Sequence, residues 1–261
     1  MYIINLIDKV ALWLIDTYTK LMKKHIIKFK AIDSYAMNVA VPPEPASNYV
    51  PKWWKEMEAF TSDKLLSKEG SSKFYPHVTA KKCFPMIDAI TAGYIIPLWA
   101  DLEVSYVGDD TEPTITWLTD RAVITSWDKE FTKDMEKPED CASIAFKLSN
   151  QFIIETPEGW SSLFIHPVGY PNLPFRSIAG VVDTDKLKTD INQPFWIKKG
   201  FTGVIPQGTP IAQVIPFQRQ DWESTVEEME KDTHYFNNQK FLRTKAQGAY
   251  GLYQRVKKSF K

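Results

Sequence analysis

The first two dozen residues carry apolar side chains at helical spacing. Ile3, Ile4, Ile7, Val10, Ala11, Leu14, Ile15, Tyr18, Leu21 and Met22 share one side of a helix, and Asp8, Lys9, Asp16, Thr19, Lys20 and Lys23 fall mostly on the other. Leu6, Leu12 and Trp13 widen the apolar face, so residues 1–24 read as an amphipathic helix. Asp8, Lys9 and Asp16 interrupt the apolar run, which argues against a bilayer span, and the lack of a basic leader and a small-residue cleavage site argues against a signal peptide. A helix of this kind docks a partner protein or a membrane surface through residues 3–22, or packs on its own domain or on a second copy. Its candidate contact residues are Ile7, Trp13 and Leu14.

From His25 the period changes. HIIKFKAID reads as a strand, and in VPPEPASNYVPKWWKEM the prolines Pro42, Pro43, Pro45 and Pro51 enforce extended or turn backbone. The adjacent Trp53 and Trp54 point to different sides of whatever element holds them. They are candidate interface residues, one reading being a stacking platform or contact surface and the other a plug that closes the core. PHVTAKKCFPMIDAITAGYIIPL predicts strand, short helix and strand, with Pro85 opening the helix and Gly93 capping its end. Residues 95–107 supply a strand pair or one long strand, residues 114–117 and 122–126 are short β segments, and 130–140 is a charged surface loop around Pro138. From 142 to 217 the chain is strand and turn almost throughout, punctuated at Gly159, Gly169, Gly200, Gly203 and Gly208.

Beyond Phe217 residues 222–229 show a Glu-rich helical pattern, and 237–261 form a polar, Lys-rich tail containing Gly248, Tyr250 and Gly251. The expected fold class is α+β and mainly β. A sandwich-like β core occupies residues 25–222, preceded by the helix at 1–24 and followed by a helix and polar tail at 223–261.

Composition narrows the function. With 32 basic and 32 acidic residues the formal charge is zero, which argues against neutralising a nucleic-acid backbone as the main task. Only five basic residues are Arg (121, 176, 219, 243 and 255), which limits the number of bidentate phosphate or carboxylate clamps. Cys83 and Cys141 belong to no Cys/His cluster, so neither a structural zinc site nor a disulfide framework is indicated, and a reducing compartment is expected.

The strong enzyme motifs are missing: no Walker Gly-Lys-Ser/Thr, no GxGxxG, no GxSxG and no His-Glu-x-x-His. His25, His77 and His234 have no ligand partner at metal spacing, so no metal site is expected. His166 ends an apolar run just before Pro167 and is either a hydrogen-bonded structural residue or a ligand-binding one. Asp183 and Asp185 flank Thr184. In an extended stretch they offer two carboxylates on one side, for a cation or as a general base; in an Asp-rich turn they bond nearby backbone N–H groups instead.

Two resemblances enter through the β-rich half. PKWWKEM, TAKKCFPMIDAITAGYIIPL, PEGWSSLFIHPVGYPNLPF, AGVVDTDKL and FTGVIPQGTPIAQVIPFQRQDW, within residues 49–222, resemble the ordered blocks of an uncharacterised family carried by tailed phages and some bacteria. That resemblance implies a viral or mobile-element origin. AGVVDTD at 179–185, followed by IPQGTPIAQVIPF at 205–217, is similar to the third and fourth motifs of the dUTPase and dCTP-deaminase superfamily, with AGY at 92–94 where its first motif stands. Gly248-Ala-Tyr-Gly251 is similar to its glycine-rich C-terminal arm. This implies a β-clip architecture, in which long hairpins fold over one another, and a ligand pocket of His166, Asp183, Asp185 and Gln213 closed by Tyr250.

The departures from that superfamily bear on activity. Ile95 stands where its first motif carries an Asp, His166-Pro167-Val168 replaces an Arg and a Ser that hold phosphate, and Thr209-Pro210 replaces an acidic and a basic residue. A nucleotide hydrolase needs Mg²⁺-held phosphates and a positioned base, so Mg²⁺ is expected only if such activity survives, with Asp183 the candidate catalytic group.

The expectation is therefore a non-enzymatic phage-type structural or binding module with no cofactor, assembling with itself or with another phage protein. Its place is the cytoplasm of an infected cell or a virion. The alternatives are a β-clip nucleotide-binding protein or hydrolase that takes a small-molecule ligand, and a peripheral membrane protein anchored by residues 3–22.

Overall fold

A computed structural model describes residues 25–60, 79–107, 112–228 and 255–261. The amphipathic segment 1–24, with Ile7, Trp13 and Leu14, and most of the tail, with Tyr250, lie outside the described residues. Among those described, no helix is long and apolar enough to cross a membrane.

The chain runs β1 (Lys28–Ala31), α1 (Ser34–Val39), β2 (Glu44–Pro45), α2 (Lys52–Glu56), α3 (Phe84–Ile90), β3 (Tyr94–Pro97), β4 (Leu102–Ser105), β5 (Thr114–Thr116) and β6 (Ile124–Ser126). It continues through α4 (Lys129–Thr132), β7 (Cys141–Leu148), β8 (Phe152–Glu155), β9 (Trp160–Ile165), β10 (Phe175–Ser177), β11 (Gly180–Val182), β12 (Gln193–Lys198), β13 (Gly203–Ile205) and β14 (Pro210–Gln218). Helices are short and locally specified. Asp33 caps α1 by accepting the Ala36 N–H at 2.8 Å, and α3 carries Pro85 in its first turn, where a missing N–H costs nothing. Gly93 follows α3 with φ +67°, and a Cβ there would sit 2.0 Å from the Val214 carbonyl oxygen, so only glycine lets α3 turn into β3 this close to β14.

The strands form four antiparallel sheets, ordered β11-β9-β14-β3-β2, β10-β12-β7-β6, β13-β4-β5 and β1-β8. The fold is thus mainly β with a few short helices. β14 is the organising strand: it pairs with β3 on one side and along all of β9 on the other, from Gln213 opposite Ile165 to Gln218 opposite Trp160. Its first five residues are buried, and so are all four of β3, as expected of strands covered on both faces. Ile96, Leu98, Leu148, Ile154, Phe175, Phe195 and Ile211 meet in one core between the sheets, each nearly inaccessible to water and each contributing about 1.5–3 kcal/mol by burial.

Several sequence expectations differ from the structure: the loop expected at 130–140 begins in α4, and residues 80–82, expected in a strand before α3, form a 3-10 turn. Residues 95–107 form two strands that do not pair with each other: β3 belongs to the five-stranded sheet and β4 to the three-stranded one. The buried corner Leu98-Trp99-Ala100 makes the switch, held by the Trp99 indole donating to the Ser149 carbonyl at 2.9 Å and by the Leu98 N–H on the Thr209 carbonyl at 2.8 Å. Residues 219–228 form no helix despite their periodicity. Trp222 is 85% exposed and Val226 fully so, leaving the would-be apolar face nothing to pack on, and an isolated short helix does not hold in water.

Candidate functional site

Strand β9 separates the predicted site residues into two groups at opposite ends. At its start Ser161 and Ser162 face the 183–185 turn, since β11 pairs antiparallel with β9 and delivers Asp183 just past the Val182–Ser162 pair. The turn is closed by the Lys186 and Leu187 N–H groups, both donating to the Asp183 carbonyl at 2.9 Å. Asp183 and Asp185 are therefore turn residues, yet their carboxylates converge on one cation, Arg219, which follows β14.

Arg219 donates through Nη1 to Asp185 Oδ1 at 2.8 Å and through Nη2 to Asp185 Oδ2 at 2.5 Å, and the Gly159 N–H reaches Oδ2 at 2.9 Å. The Asp185 side chain is 2% exposed, so the bidentate clamp holds a carboxylate taken out of water. Hydrogen bonding from Arg219 keeps its carboxyl well below the usual carboxylate range, with the Gly159 N–H acting in the same direction against desolvation. Asp183 is 61% exposed, and its Oδ1 accepts from Ser161 Oγ at 2.6 Å and from Arg219 at 3.2 Å. Between them Thr184 is buried, its hydroxyl 2.7 Å from that of Thr156 and 3.0 Å from that of Ser162. The cluster is a polar staple tying β8, β9, β11 and β14 together.

The far end of β9, about 13 Å away at four residues of strand rise, carries the second group. His166 Nε2–H donates to the Tyr170 carbonyl at 3.0 Å while its Nδ1 accepts the Ser177 N–H at 3.2 Å, which sets one neutral tautomer. Burial lowers its pKa, an effect partly offset by the bond to Tyr170. Gln213 is completely buried. Its Oε1 accepts the Val168 N–H at 2.9 Å and its Nε2 donates to the Ala89 and Ala92 carbonyls at 2.9 and 2.7 Å, so one amide joins β14 to the end of α3 and to the 167–169 turn.

The structure thus brings Asp183 to Asp185, and His166 near Gln213, without bringing the two pairs together. The expected pocket of all four is not assembled: His166, Asp185 and Gln213 are each engaged by partners of their own, and Asp183, 61% exposed, is held through Oδ1 at the other end of β9. Trp54, expected at an interface, is 3% exposed and closes the core with Lys81 over its ring, while Trp53 is 41% exposed and donates its indole N–H to the Gly169 carbonyl at 2.7 Å. Cys141 is buried, and burial with the neighbouring Asp140 pushes its thiol up to about 11, unlike a reactive cysteine. Among the described residues no group of three or more His, Cys, Asp or Glu is placed to hold a metal.

Sequence reasoning missed Arg219 and an open cleft of about 470 Å³ beside it. The cleft lies where the chain enters β1, between the 155–160 hairpin and the end of β14, and is lined by His25, Ile26, Lys28, Glu155, Trp160 and Gln218 among others. His25 and Trp160 pack ring on ring at 4.6 Å, and Ile26 is 63% exposed. The signal for Arg219 was its rarity: one of five arginines, set where a long apolar strand gives way to acidic sequence. No signal marked the cleft, whose walls are far apart along the chain.

No protein-family model matches the chain, and no curated protein is significantly similar to it.

Proposed function

We propose that this chain is a phage-type structural or binding module that works by contact, assembling with itself or docking another protein, rather than by catalysis. The observation that carries the reading is the fate of the candidate chemistry. His166 has both ring nitrogens on backbone groups, Asp185 has both oxygens in the Arg219 clamp, and Gln213 spends its amide on three backbone partners. Groups so engaged hold a scaffold in shape, and rearranging them for a substrate means breaking buried hydrogen bonds at about 1–3 kcal/mol each.

The exposed side chains of Trp53 and Trp222 support the same reading, since tryptophan is the side chain that most often dominates contact energy at interfaces. The resemblance of the blocks within residues 49–222 to an uncharacterised phage and bacterial family points to a viral or mobile-element setting, with action in the infected cytoplasm or in a virion. A thermal-shift screen against nucleoside triphosphates, monophosphates and sugar nucleotides, with and without Mg²⁺ or Mn²⁺, tests it. A bound ligand at about 100 times its Kd stabilises by about 2.7 kcal/mol and shifts Tm by several degrees. A flat screen is the expected result, and a Mg²⁺-dependent shift accompanied by nucleotide turnover overturns the module reading.

A further inference from the structure

We infer that a second copy of this chain docks its acidic segment 220–228 into the cleft beside β1, anchored by Trp222, to give a reciprocal two-fold dimer. The inference rests on the module reading and names its partner.

The donor is built from sequence. Trp222 and Val226 are spaced for one helix face and stand 85% and fully exposed, flanked by Asp221, Glu223, Glu227 and Glu228. Within residues 219–228 the one basic residue, Arg219, is already committed to Asp183 and Asp185. The segment therefore presents an aromatic anchor within a surplus of negative charge, and a helical pattern that a single copy leaves without an apolar surface to fold on.

The acceptor has the opposite character. Its lining includes the apolar Ile26, Pro157 and Trp160, with His25 against the Trp160 ring, and its volume of about 470 Å³ is ample for an indole. Four lysines stand around it, with Glu155 and Glu158 in its wall. Lys30 pairs with Glu155 at 2.7 Å and Lys186 with Glu158 at 3.6 Å, and Lys28 and Lys188 are close enough for their charges to act on Glu155 as well. With Arg219 and its partners Asp183 and Asp185 at the lip, five cations stand against four carboxylates, a positive excess of one facing a segment with four carboxylates.

Connectivity makes the exchange closed. Gln218 is a wall of the cleft and also the residue from which the segment departs, with Arg219 fixed by its N–H on the Gly159 carbonyl at 2.8 Å. Donor and acceptor therefore lie side by side on one surface. A two-fold axis beside Gln218 satisfies both contacts at once, giving an isologous pair rather than an open chain. The exposure of Trp222 shows that it does not fill the cleft of its own copy.

Sedimentation equilibrium of the full chain across a concentration series tests the inference with three variants, each checked for native far-UV circular dichroism. Trp222→Ala should weaken the dimer at least about tenfold without loss of fold. D221K/E223K/E227K reverses the donor from four negative charges to a net two positive, K28E/K188E reverses the acceptor, and each alone should be monomeric. Mixed together the two should form a heterodimer, because each cleft then meets a segment of opposite charge. A wild type that stays monomeric, a Trp222→Ala variant that dimerises unchanged, or a mixture that fails to associate overturns self-docking. A monomer with a flat nucleotide screen leaves a module for a different partner, whereas nucleotide turnover removes the module reading itself.

Discussion

Arg219 holds both oxygens of Asp185, a carboxylate 34 positions upstream in sequence, and the hydrogen bonds between them are 2.8 and 2.5 Å long. The pair fastens the 183–185 turn to the end of β14 at the lip of the cleft. Removing Arg219 leaves Asp185 buried with the Gly159 N–H as its remaining partner, the costly way to break such a pair. Arg219→Ala should lower Tm by several degrees, and Arg219→Lys, which keeps a charge but loses the fork, should fall between. Because the folded carboxyl is depressed, its contribution is present above about pH 4 and is lost as pH falls below that. The Tm gap between wild type and Arg219→Ala should narrow as pH is lowered from 5 to 3, and a gap that stays constant would show that the clamp is not the source.

His166 titrates in a different window. Its folded pKa is lowered by burial, so below about pH 6.5 the unfolded chain takes up a proton that the folded chain refuses, and stability falls as pH drops from there. Urea denaturation at pH 7.5, 6.5 and 5.5 should show this decline, and His166→Gln should flatten it. Nitrogen-15 NMR at pH 7.5 should find the proton on Nε2, since Nδ1 accepts the Ser177 N–H.

Gln213 joins three backbone groups, of which the Ala89 carbonyl also accepts the Ala92 N–H at 3.4 Å. Gln213→Leu keeps the volume and removes all three bonds, leaving the Val168 N–H and the Ala92 carbonyl without this amide, at about 1–3 kcal/mol. Gln213→Glu should be worse, because a carboxylate cannot donate to the Ala89 and Ala92 carbonyls. Equal loss for the two variants in chemical denaturation would mean that space rather than polarity sets the cost.

The local parts of this architecture were legible in the sequence, and the long-range parts were not. Pro85 and Gly93 marked both ends of α3 because each acts through its own backbone. The opposed fates of Trp53 and Trp54 followed from their adjacency alone. Periodicity at 222–229 predicted a helix, but residues 219–228 form none, because a helix holds only where something covers its apolar side and pattern does not report the covering surface. Asp183 and Asp185 stood out as a pair, whereas the cation that decides their chemistry lies 36 and 34 positions away, and no spacing rule reaches so far. Gln213 drew notice through a motif resemblance and is instead a structural staple. A buried amide looks the same in sequence whether it serves a ligand or a turn.

The end of the chain is fastened by charge, which makes it the contact most open to manipulation. Asp88 on α3 accepts from Arg255 at 2.5 and 3.2 Å and from Lys258 at 3.2 Å, and Arg255 also lies 4.8 Å from the centre of the Phe84 ring. Phe260 meets Tyr94 edge to face, and the Tyr94 hydroxyl donates to the Lys261 carbonyl at 3.2 Å. The Asp88 side chain is 11% exposed and hydrogen bonding from Arg255 lowers its pKa, so this docking is present above about pH 4 and weakens below it. Lys258 is half exposed and its share is screened by salt, whereas the shielded Arg255 fork is screened much less. Asp88→Asn should therefore speed amide hydrogen exchange across 255–261 severalfold at pH 7, with the β core unchanged. Raising NaCl from 0.05 to 0.5 M in the wild type should produce only part of that increase. Exchange in Asp88→Asn equal to wild type would mean that Phe260 on Tyr94 holds the end in place without the ion pairs.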